Sequence, residues 1–319
     1  MAHSEKVLVT GGAGFIGSHL VEALVADGSR VVVFDDFSTG LARNLERSQG
    51  SVDIVEGDVR DLAALRGVTK GVGIVFHLAA MPAVAPSIAD PLACGAINVG
   101  GTLHVLLAAR EAGVRRVVFT SSAAVYGADP TSPKAETLPT LPLSPYAASK
   151  LAGEEFAHAF SHVYGIETAI LRLFNVYGPR QNPESEDSGV ITRFLSRLAA
   201  GEAPLVDGDG QQSRDFIFVS DIVAAFLRAA KAPEASGEVF NIGSGRSTTI
   251  NELATTLTST MLPGSSLRPM HRAARVGDVR HSCADITKAK SVLEFEPMVN
   301  LRDGLAKTVE WWREEWIGR

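Results

Sequence analysis

A tyrosine and a lysine four residues apart are the residues of this chain best suited to acid–base chemistry. Tyr146 and Lys150 lie in the stretch Ser144-Pro145-Tyr146-Ala147-Ala148-Ser149-Lys150. Side chains four apart on a helix project from one face, and Ser144 followed by Pro145 favours a helix that begins just before the tyrosine. A phenol ionises near pH ~10, but a nearby ammonium stabilises the phenolate and can lower that pKa. The pair is a candidate acid/base, although tyrosine and lysine also share helix surfaces by chance.

A glycine-rich turn near the start of the chain is typical of a dinucleotide site. The apolar strand Val7–Thr10 leads into Gly11-Gly12-Ala13-Gly14-Phe15-Ile16-Gly17, and an apolar helix pattern follows. In such a turn the first glycine allows the tight bend, the second lets the backbone approach a pyrophosphate, and the third lets helix pack on strand. Three glycines alone are a weak signal, but the strand–glycine–helix context strengthens it.

An acidic residue ends the second predicted strand, where a dinucleotide fold needs one. Asp35 closes the strand that begins at Arg30. Its carboxylate can accept hydrogen bonds from an adenosine ribose and would repel a 2′-phosphate. No arginine adjoins it, so the sequence favours NAD over NADP, although a loop-capping role for Asp35 is the alternative.

Strands alternate with helices over the first 175 residues, and this pattern predicts an α/β fold with a doubly wound parallel sheet. The further strands are expected at 52–56, 74–77, 116–121 and 168–174, with a long helix over roughly 93–112 that carries Asn98. We expect residues 1–175 to form a Rossmann domain, with 216–245 returning to it. Residues 176–215 and 246–319 are expected to form a smaller, discontinuous substrate domain, and Trp311, Trp312 and Trp316 to pack on one helix face.

The composition excludes several classes of protein. The 319 residues carry 45% hydrophobic and 21% charged side chains, as globular proteins do, and a formal charge of −6 disfavours nucleic-acid binding. Cys94 and Cys283 do not indicate a disulfide framework, and the eight histidines lack metal-ligand spacing. We expect no signal peptide and no apolar run of membrane-spanning length, and hence a cytoplasmic protein.

Taken together, the motifs resemble the extended short-chain dehydrogenase/reductase superfamily over nearly the whole chain. Further motifs resemble its nucleotide-sugar branch, and the UDP-hexose 4-epimerases most closely: Ser121-Ser122-Ala123-Ala124-Val125-Tyr126-Gly127, Arg172-Leu173-Phe174-Asn175-Val176-Tyr177-Gly178, Arg214-Asp215-Phe216 and Arg275-Val276-Gly277-Asp278. The resemblance implies bound NAD as a prosthetic group, a UDP-sugar substrate and a homodimer paired through the helices around Asn98 and after Pro145.

The resemblance also implies residue roles. Tyr146 would take the proton from the sugar O4 while hydride leaves C4 for NAD, Lys150 would lower the tyrosine pKa and hold the nicotinamide ribose, and Ser122 would help relay the proton. The 4-keto sugar would then turn over and receive hydride on its other face. The implied cofactor-binding residues are Gly11, Gly14, Phe15, Ile16, Gly17, Asp35, Asp36, Thr39, Gly40, Asp58, Val59, Leu78, Ala79, Ala80, Asn98, Thr120, Tyr146, Lys150 and Phe174. The implied substrate-binding residues are Ser122, Tyr146, Asn175, Val190, Arg214, Arg275, Asp278 and Ser282.

Two alanines favour epimerisation over related reactions. Related 4,6-dehydratases carry Asp-Glu at positions 123 and 124, and UDP-glucuronate decarboxylases keep the Glu, whereas this chain has Ala123 and Ala124. Alanine cannot transfer a proton, and epimerisation needs only Tyr146, Ser122, Lys150 and NAD.

The identity of the sugar stays open at this point. UDP-glucuronate 4-epimerases typically have Thr at 175 and Arg at 182, where this chain has Asn175 and Asn182, so a neutral hexose is favoured. Ser282 replaces a bulky tyrosine of glucose-restricted epimerases and predicts room for a 2-acetamido group. The alternatives are a UDP-glucuronate 4-epimerase or another nucleotide-sugar enzyme, a one-way reductase, and a non-catalytic NAD sensor, which commonly lacks the tyrosine or the lysine.

Overall fold

The structure, a computed structural model, describes residues 5–182, 189–274 and 279–316. Its strands are β1 Lys6–Thr10, β2 Arg30–Asp35, β3 Val52–Glu56, β4 Ile74–His77, β5 Arg116–Ser122, β6 Glu167–Leu173, β7 Asn175–Tyr177, β8 Leu205–Asp207, β9 Ser213–Arg214, β10 Phe216–Phe218, β11 Glu238–Ile242, β12 Thr248–Thr249, β13 Met270–Arg272 and β14 His281–Ser282. Its α-helices are α1 Phe15–Ala26, α2 Leu62–Val68, α3 Val84–Ala89, α4 Pro91–Cys94, α5 Gly101–Glu111, α6 Pro145–Tyr164, α7 Val190–Ala199, α8 Val219–Lys231, α9 Ile250–Met261, α10 Thr287–Leu293 and α11 Leu301–Trp311. Short 3₁₀ turns span Ala42–Ser48, Ala123–Tyr126 and Pro233–Ala235, and π-helical turns span Gly95–Gly100 and Trp312–Trp316.

The central sheet is parallel, seven-stranded and ordered β11-β6-β5-β4-β1-β2-β3. The strand order reverses between β4 and β1, and in such sheets the ligand site lies at the carboxyl ends of the strands beside this point. The predicted α/β fold with a doubly wound parallel sheet is therefore confirmed. Strand β11 returns to the sheet edge beside β6, as expected for 216–245.

The apolar side chains pack in several cores, two of which bear on the predicted domain boundaries. The first fills the space between the sheet and helices α1 and α8, and residues of and after α10, Ala289, Leu293 and Phe295, also belong to it. The second packs α7, α9 and α11 around Phe216, Phe218 and Trp312. The segment 246–319 thus contributes to both cores, and the predicted domain boundaries stay a prediction. Trp312 is buried and Trp311 packs at its edge, whereas the side chain of Trp316 lies outside the described residues.

The helical stretch Pro91–Glu111 corrects one expectation. Its 21 residues are apolar and long enough to cross a membrane, by length and composition only, whereas the sequence was expected to contain no such run. Buried residues of this stretch, among them Asn98, Thr102, Val105 and Leu106, pack inside the fold. Of the apolar window in this stretch, 44% is buried inside the fold.

Candidate active site

Tyr146 and Lys150 lie on the first turns of α6, which begins where its sequence predicts. The Ser144 side chain accepts a hydrogen bond from the Ala147 N–H (3.1 Å), and Pro145 occupies the first helical position. A buried serine of α3, Ser87, accepts a bond from the Tyr146 N–H at 3.0 Å and holds this end of the helix. Good capping and one tertiary contact therefore fix the tyrosine in place.

The two side chains reach the end of β5. The Tyr146 phenol lies close enough to the Ser122 side chain for that side chain to lower its pKa. The Lys150 Nζ donates to the Thr120 carbonyl oxygen at 2.9 Å and lies 6.0 Å from the centre of the tyrosine ring. The structure thus brings together all three predicted catalytic residues.

Burial dominates the protonation of this group. It raises the pKa of the Tyr146 phenol, and the Ser122 side chain opposes that rise. It lowers the pKa of the Lys150 ammonium to about 8. The lowering of the tyrosine pKa that the sequence expects from Lys150 stays a prediction.

The glycine turn closes tightly on itself and on β4. A Cβ on Gly17 would lie 2.1 Å from the Gly11 carbonyl oxygen, and one on Gly11, whose φ is +71°, would lie 2.7 Å from the Ala79 nitrogen. Gly14 is the N-cap residue of helix α1, and no side chain caps this end of the helix. Its first turn therefore presents backbone N–H groups and the positive end of the helix dipole, which suits a phosphate.

Asp35 is buried at the end of β2 and rigidly held. Its Oδ2 accepts a bond from the Ala13 N–H at 2.8 Å, and its Oδ1 accepts one from the Phe37 N–H at 2.9 Å. Burial raises the pKa of this carboxyl, and the two backbone donors oppose the rise. Each oxygen keeps acceptor capacity, since a carboxylate oxygen takes two hydrogen bonds. Asp36, by contrast, accepts bonds from Ser38 in the turn that continues to Thr39 and Gly40.

The remaining predicted cofactor residues follow β3, β4 and β5. Asp58 accepts hydrogen bonds from Arg60, which lowers the pKa of its carboxyl, and the buried Val59 packs against Gly101. Leu78, Ala79 and Ala80 follow β4 directly. Near the end of β5, the Thr120 Oγ1 is buried without a hydrogen-bond partner among the described side chains. Such a group is an expected contact point for a bound molecule.

The side chains of two predicted cofactor-binding residues make contacts with other residues of the protein. The Asn98 amide accepts from the Met81 N–H at 2.7 Å and donates to the Ser149 Oγ at 2.9 Å, so it joins the loop after β4 to α6. Phe174 is buried in a small cluster with Val125 and Tyr126. Both residues therefore position parts of the site, and their contact with a cofactor stays a prediction.

These observations fit a bound dinucleotide. The uncapped helix end, the held carboxylate of Asp35 and the unpartnered Thr120 hydroxyl lie at or near the carboxyl ends of β1, β2 and β5. Together they offer donors for a diphosphate and acceptors for a ribose. The donor set therefore matches the cofactor that the sequence predicted.

A cleft lined by residues of β7, α7, β8 and β9 contains three of the predicted substrate residues. Asn175, Val190 and Arg214 line it, together with Gln212 and Arg193. Ser282 is the register partner of Arg214 in the small sheet formed by β12, β9 and β14. Arg275 and Asp278 lie outside the described residues, so their predicted roles stay predictions.

The sequence did not predict a role for Asp215, which lies beside the cleft residue Arg214. Asp215 is fully buried, and its carboxylate accepts bonds from the N–H groups of Ser244 (2.7 Å), Gly245 (3.0 Å) and Ala284 (3.1 Å). It ties the cleft strand β9 to the loops after β11 and β14. Its position beside Arg214 in the Arg214-Asp215-Phe216 motif was the only signal available.

Comparison with known proteins places the chain among nucleotide-sugar enzymes. A model of the NAD dependent epimerase/dehydratase family matches residues 7–243. A UDP-glucose 4-epimerase of Mycolicibacterium smegmatis is 43% identical over 315 residues, which cover 97% of this chain and 99% of that one.

Two solved structures share the whole fold. The UDP-N-acetylglucosamine 4-epimerase of Methanobrevibacter ruminantium, in complex with UDP-N-acetylmuramic acid, is 38% identical with a TM-score of 0.92 and covers 97% of this chain and 98% of that one. The protein MoeE5, in complex with UDP-glucuronic acid and NAD, is 40% identical with a TM-score of 0.85 and covers 97% of this chain and 99% of that one. The similarity therefore extends over nearly the full length.

Proposed function

Because the chain belongs to the NAD-dependent epimerase/dehydratase family, we propose that it is an NAD-dependent 4-epimerase of UDP-hexoses. The observation that carries the proposal is the arrangement at the end of β5: a tyrosine phenol beside Ser122, with Lys150 one turn further along α6 and bonded to the Thr120 carbonyl oxygen. Ala123 and Ala124 follow Ser122 directly, so the two positions that hold an acid and a base in dehydratases carry neither.

The chain's own residues supply proton transfer and orientation. Bound NAD would supply the hydride chemistry at C4 of the sugar. Tyr146 takes and returns the proton of the sugar O4, and Ser122, which lies beside the phenol, holds the same oxygen. Lys150 provides the positive charge that stabilises the phenolate. The glycine turn, Asp35 and Thr120 hold the cofactor.

Substitution of the tyrosine tests this function. We expect Tyr146→Phe to lower kcat by about 10²–10⁴-fold while the protein keeps its fold and its NAD. Purified protein is incubated with a panel of UDP-sugars, and the products are separated. A Tyr146→Phe protein with the wild-type rate would contradict the proposal and would favour the hypothesis of a non-catalytic NAD sensor.

Retention of the cofactor distinguishes an epimerase from a one-way reductase. Because each cycle regenerates NAD, the epimerase has no need to release it. Acid extraction of the purified protein is therefore expected to give about one NAD per chain. An empty site that fills with NADPH would favour the reductase.

For the substrate, we propose activity on both UDP-Glc/UDP-Gal and UDP-GlcNAc/UDP-GalNAc. Ser282 lies beside Arg214 at the cleft and is small, which leaves room for a 2-acetamido group. The matched variant is Ser282→Tyr, for which we expect turnover of the N-acetylated pair to fall while the hexose pair is retained. No turnover of the N-acetylated pair by the wild type would refute the dual specificity.

UDP-glucuronate is the second candidate substrate. Arg193 lines the cleft and could face a uronate carboxylate, and MoeE5 was solved with UDP-glucuronic acid. Asn175 and Asn182 are neutral, which favours the hexose. The panel therefore includes UDP-glucuronate.

We further propose a cytoplasmic homodimer. Helices α3 and α4, which pack on α6, expose Ile88 (63% exposed) and Leu92 (85% exposed). Large apolar side chains so exposed and so close together are a feature of protein interfaces. The family resemblance supports a second copy of the chain as the partner.

A further inference from the structure

Three residues of α6 meet three consecutive residues at the end of β5. The Tyr146 phenol lies beside Ser122, the Lys150 Nζ donates to the Thr120 carbonyl oxygen, and the Glu154 carboxylate accepts from the Ser121 hydroxyl. The helix positions are spaced by four, so they share one face. The third contact belongs to no predicted catalytic residue.

Glu154 is buried and fully engaged. Only 1% of the residue is exposed, and Arg172 on β6 donates to both of its oxygens, from Nε to Oε1 at 2.9 Å and from Nη2 to Oε2 at 2.7 Å. Arg172 also donates to the Tyr126 hydroxyl at 2.9 Å, which in turn donates to Asn241 on β11 at 2.7 Å. Buried ion pairs contribute little to stability compared with apolar packing, so stability alone does not explain this one.

We propose that Glu154 is a positioning residue for the epimerase reaction. Through Ser121 it fixes the position of α6 along β5, and thereby the contact between Tyr146 and Ser122. As a carboxylate one turn from Lys150, it also keeps that side chain positively charged. The inference rests on the proposed function and assigns it a residue outside the catalytic triad of tyrosine, lysine and serine.

The charge around Lys150 supports the second role. Cys94 faces it from α4, His77 from the end of β4, and Tyr146 and Glu154 from its own helix; the Phe119 ring of β5 lies 5.4 Å away. Arg172 is held against Glu154. Glu154 and Cys94 oppose the effect of burial on the pKa of Lys150. Loss of the Glu154 charge would therefore lower that pKa further.

Three variants of the holoenzyme test the proposal. Ser121→Ala removes one hydroxyl, Glu154→Gln/Arg172→Met removes the ion pair without leaving a lone buried charge, and Glu154→Asp keeps the charge on a shorter side chain. Glu155→Gln is the matched control, because Glu155 is the exposed neighbour on the same helix. NAD content, melting temperature, kcat, KM and the pH dependence of kcat are measured for each.

We expect Ser121→Ala and the double variant to lower kcat by about tenfold or more, because small misplacements of reacting groups have large effects on rate, with KM and NAD content unchanged. In the double variant, the pH above which kcat declines should fall by roughly half a unit or more. In Glu154→Asp the charge is kept, so this pH should stay at its wild-type value while kcat remains low. Glu155→Gln changes neither.

A Ser121→Ala enzyme with kcat within about twofold of wild type would overturn the positioning role, even where the double variant fails to fold. An unchanged pH profile in a folded double variant would overturn the role in charge. Failure of the proposed function is a separate outcome, since the wild type would then epimerise no UDP-sugar.

Discussion

At the scale of the residue, burial and hydrogen bonding decide what each titratable group of the site can do. Tyr146 stays protonated because its surroundings disfavour the phenolate, and the Ser122 hydroxyl offers the first partner for its proton. Burial lowers the pKa of Lys150 to about 8, near physiological pH. The charge state of that lysine is therefore the most accessible measure of how the site works.

The pH dependence of kcat follows from the pKa of Lys150. Its folded-state pKa is lowered from 10.5 to about 8, so the ammonium is present below pH 8 and is lost above it. Because the positive charge stabilises the phenolate, kcat is expected to hold up to about pH 8 and to decline above it. Lys150→Met should remove most activity at every pH. A wild-type kcat that is flat from pH 7 to pH 10 would contradict this assignment.

The sequence predicted the catalytic residues but not the residues that hold them. Tyr146, Lys150 and Ser122 were found because four-residue spacing and a serine pair are visible along the chain. Arg172 follows Glu154 by 18 residues in the sequence, and Asn241 follows it by 87. They come together because β6 and β11 are neighbours in the sheet. The amide of Asn98 joins Met81 to Ser149, a contact that the sequence did not predict, and its contact with a cofactor stays a prediction.

At the scale of the element, the glycine turn and helix α1 were predictable because a strict steric requirement shapes their sequence. A helix that starts this close to β1 leaves no space for a side chain at Gly17. The small strands β9, β12 and β14, of two residues each, were not predictable, because such short pairings leave no periodic pattern.

Adding one methyl group to the turn tests its packing. Gly17→Ala places a Cβ 2.1 Å from the Gly11 carbonyl oxygen, so we expect α1 to shift, the bound NAD to be lost and the free energy of unfolding to fall by about 1–3 kcal/mol. Thermal unfolding and acid extraction measure the two effects.

The matched control is Gly67→Ala in α2, where an added Cβ meets nothing within 4 Å. There we expect NAD content to be unchanged and stability to rise by about 0.5–1 kcal/mol, the usual gain of Ala over Gly in a helix. Equal losses in both variants would show that the turn is not specially constrained.

At the scale of the whole molecule, the two cores described above share packing partners near the site, because Ile16 and Val176 pack against both. The sheet and α1 supply the cofactor side, and the elements β7, α7 and β9 supply the cleft. The change of character after Phe174 predicts a two-part division, which stays a prediction. That residues after 246 belong to both cores could not be predicted, because it depends on α10 packing against β11.

The proposed dimer is tested by charging its apolar surface. Leu92→Glu would bury a charge in the interface, so we expect the dissociation constant to rise by at least about 100-fold. Light scattering should then give a mass of 33.7 kDa for the variant and twice that for the wild type. Met298→Glu, at a site 81% exposed elsewhere on the chain, is the control and should stay dimeric. A monomeric wild type would contradict the dimer.

The most direct test of the central claim is the fate of the hydrogen on C4 of the sugar. UDP-glucose carrying deuterium at C4 is incubated with the purified protein in ordinary water, and the UDP-galactose formed is analysed by mass spectrometry and NMR. Transient oxidation within one site predicts that the product keeps its deuterium at C4. Product that has exchanged the label with water would contradict the account, and so would the absence of any epimer from every UDP-sugar tested.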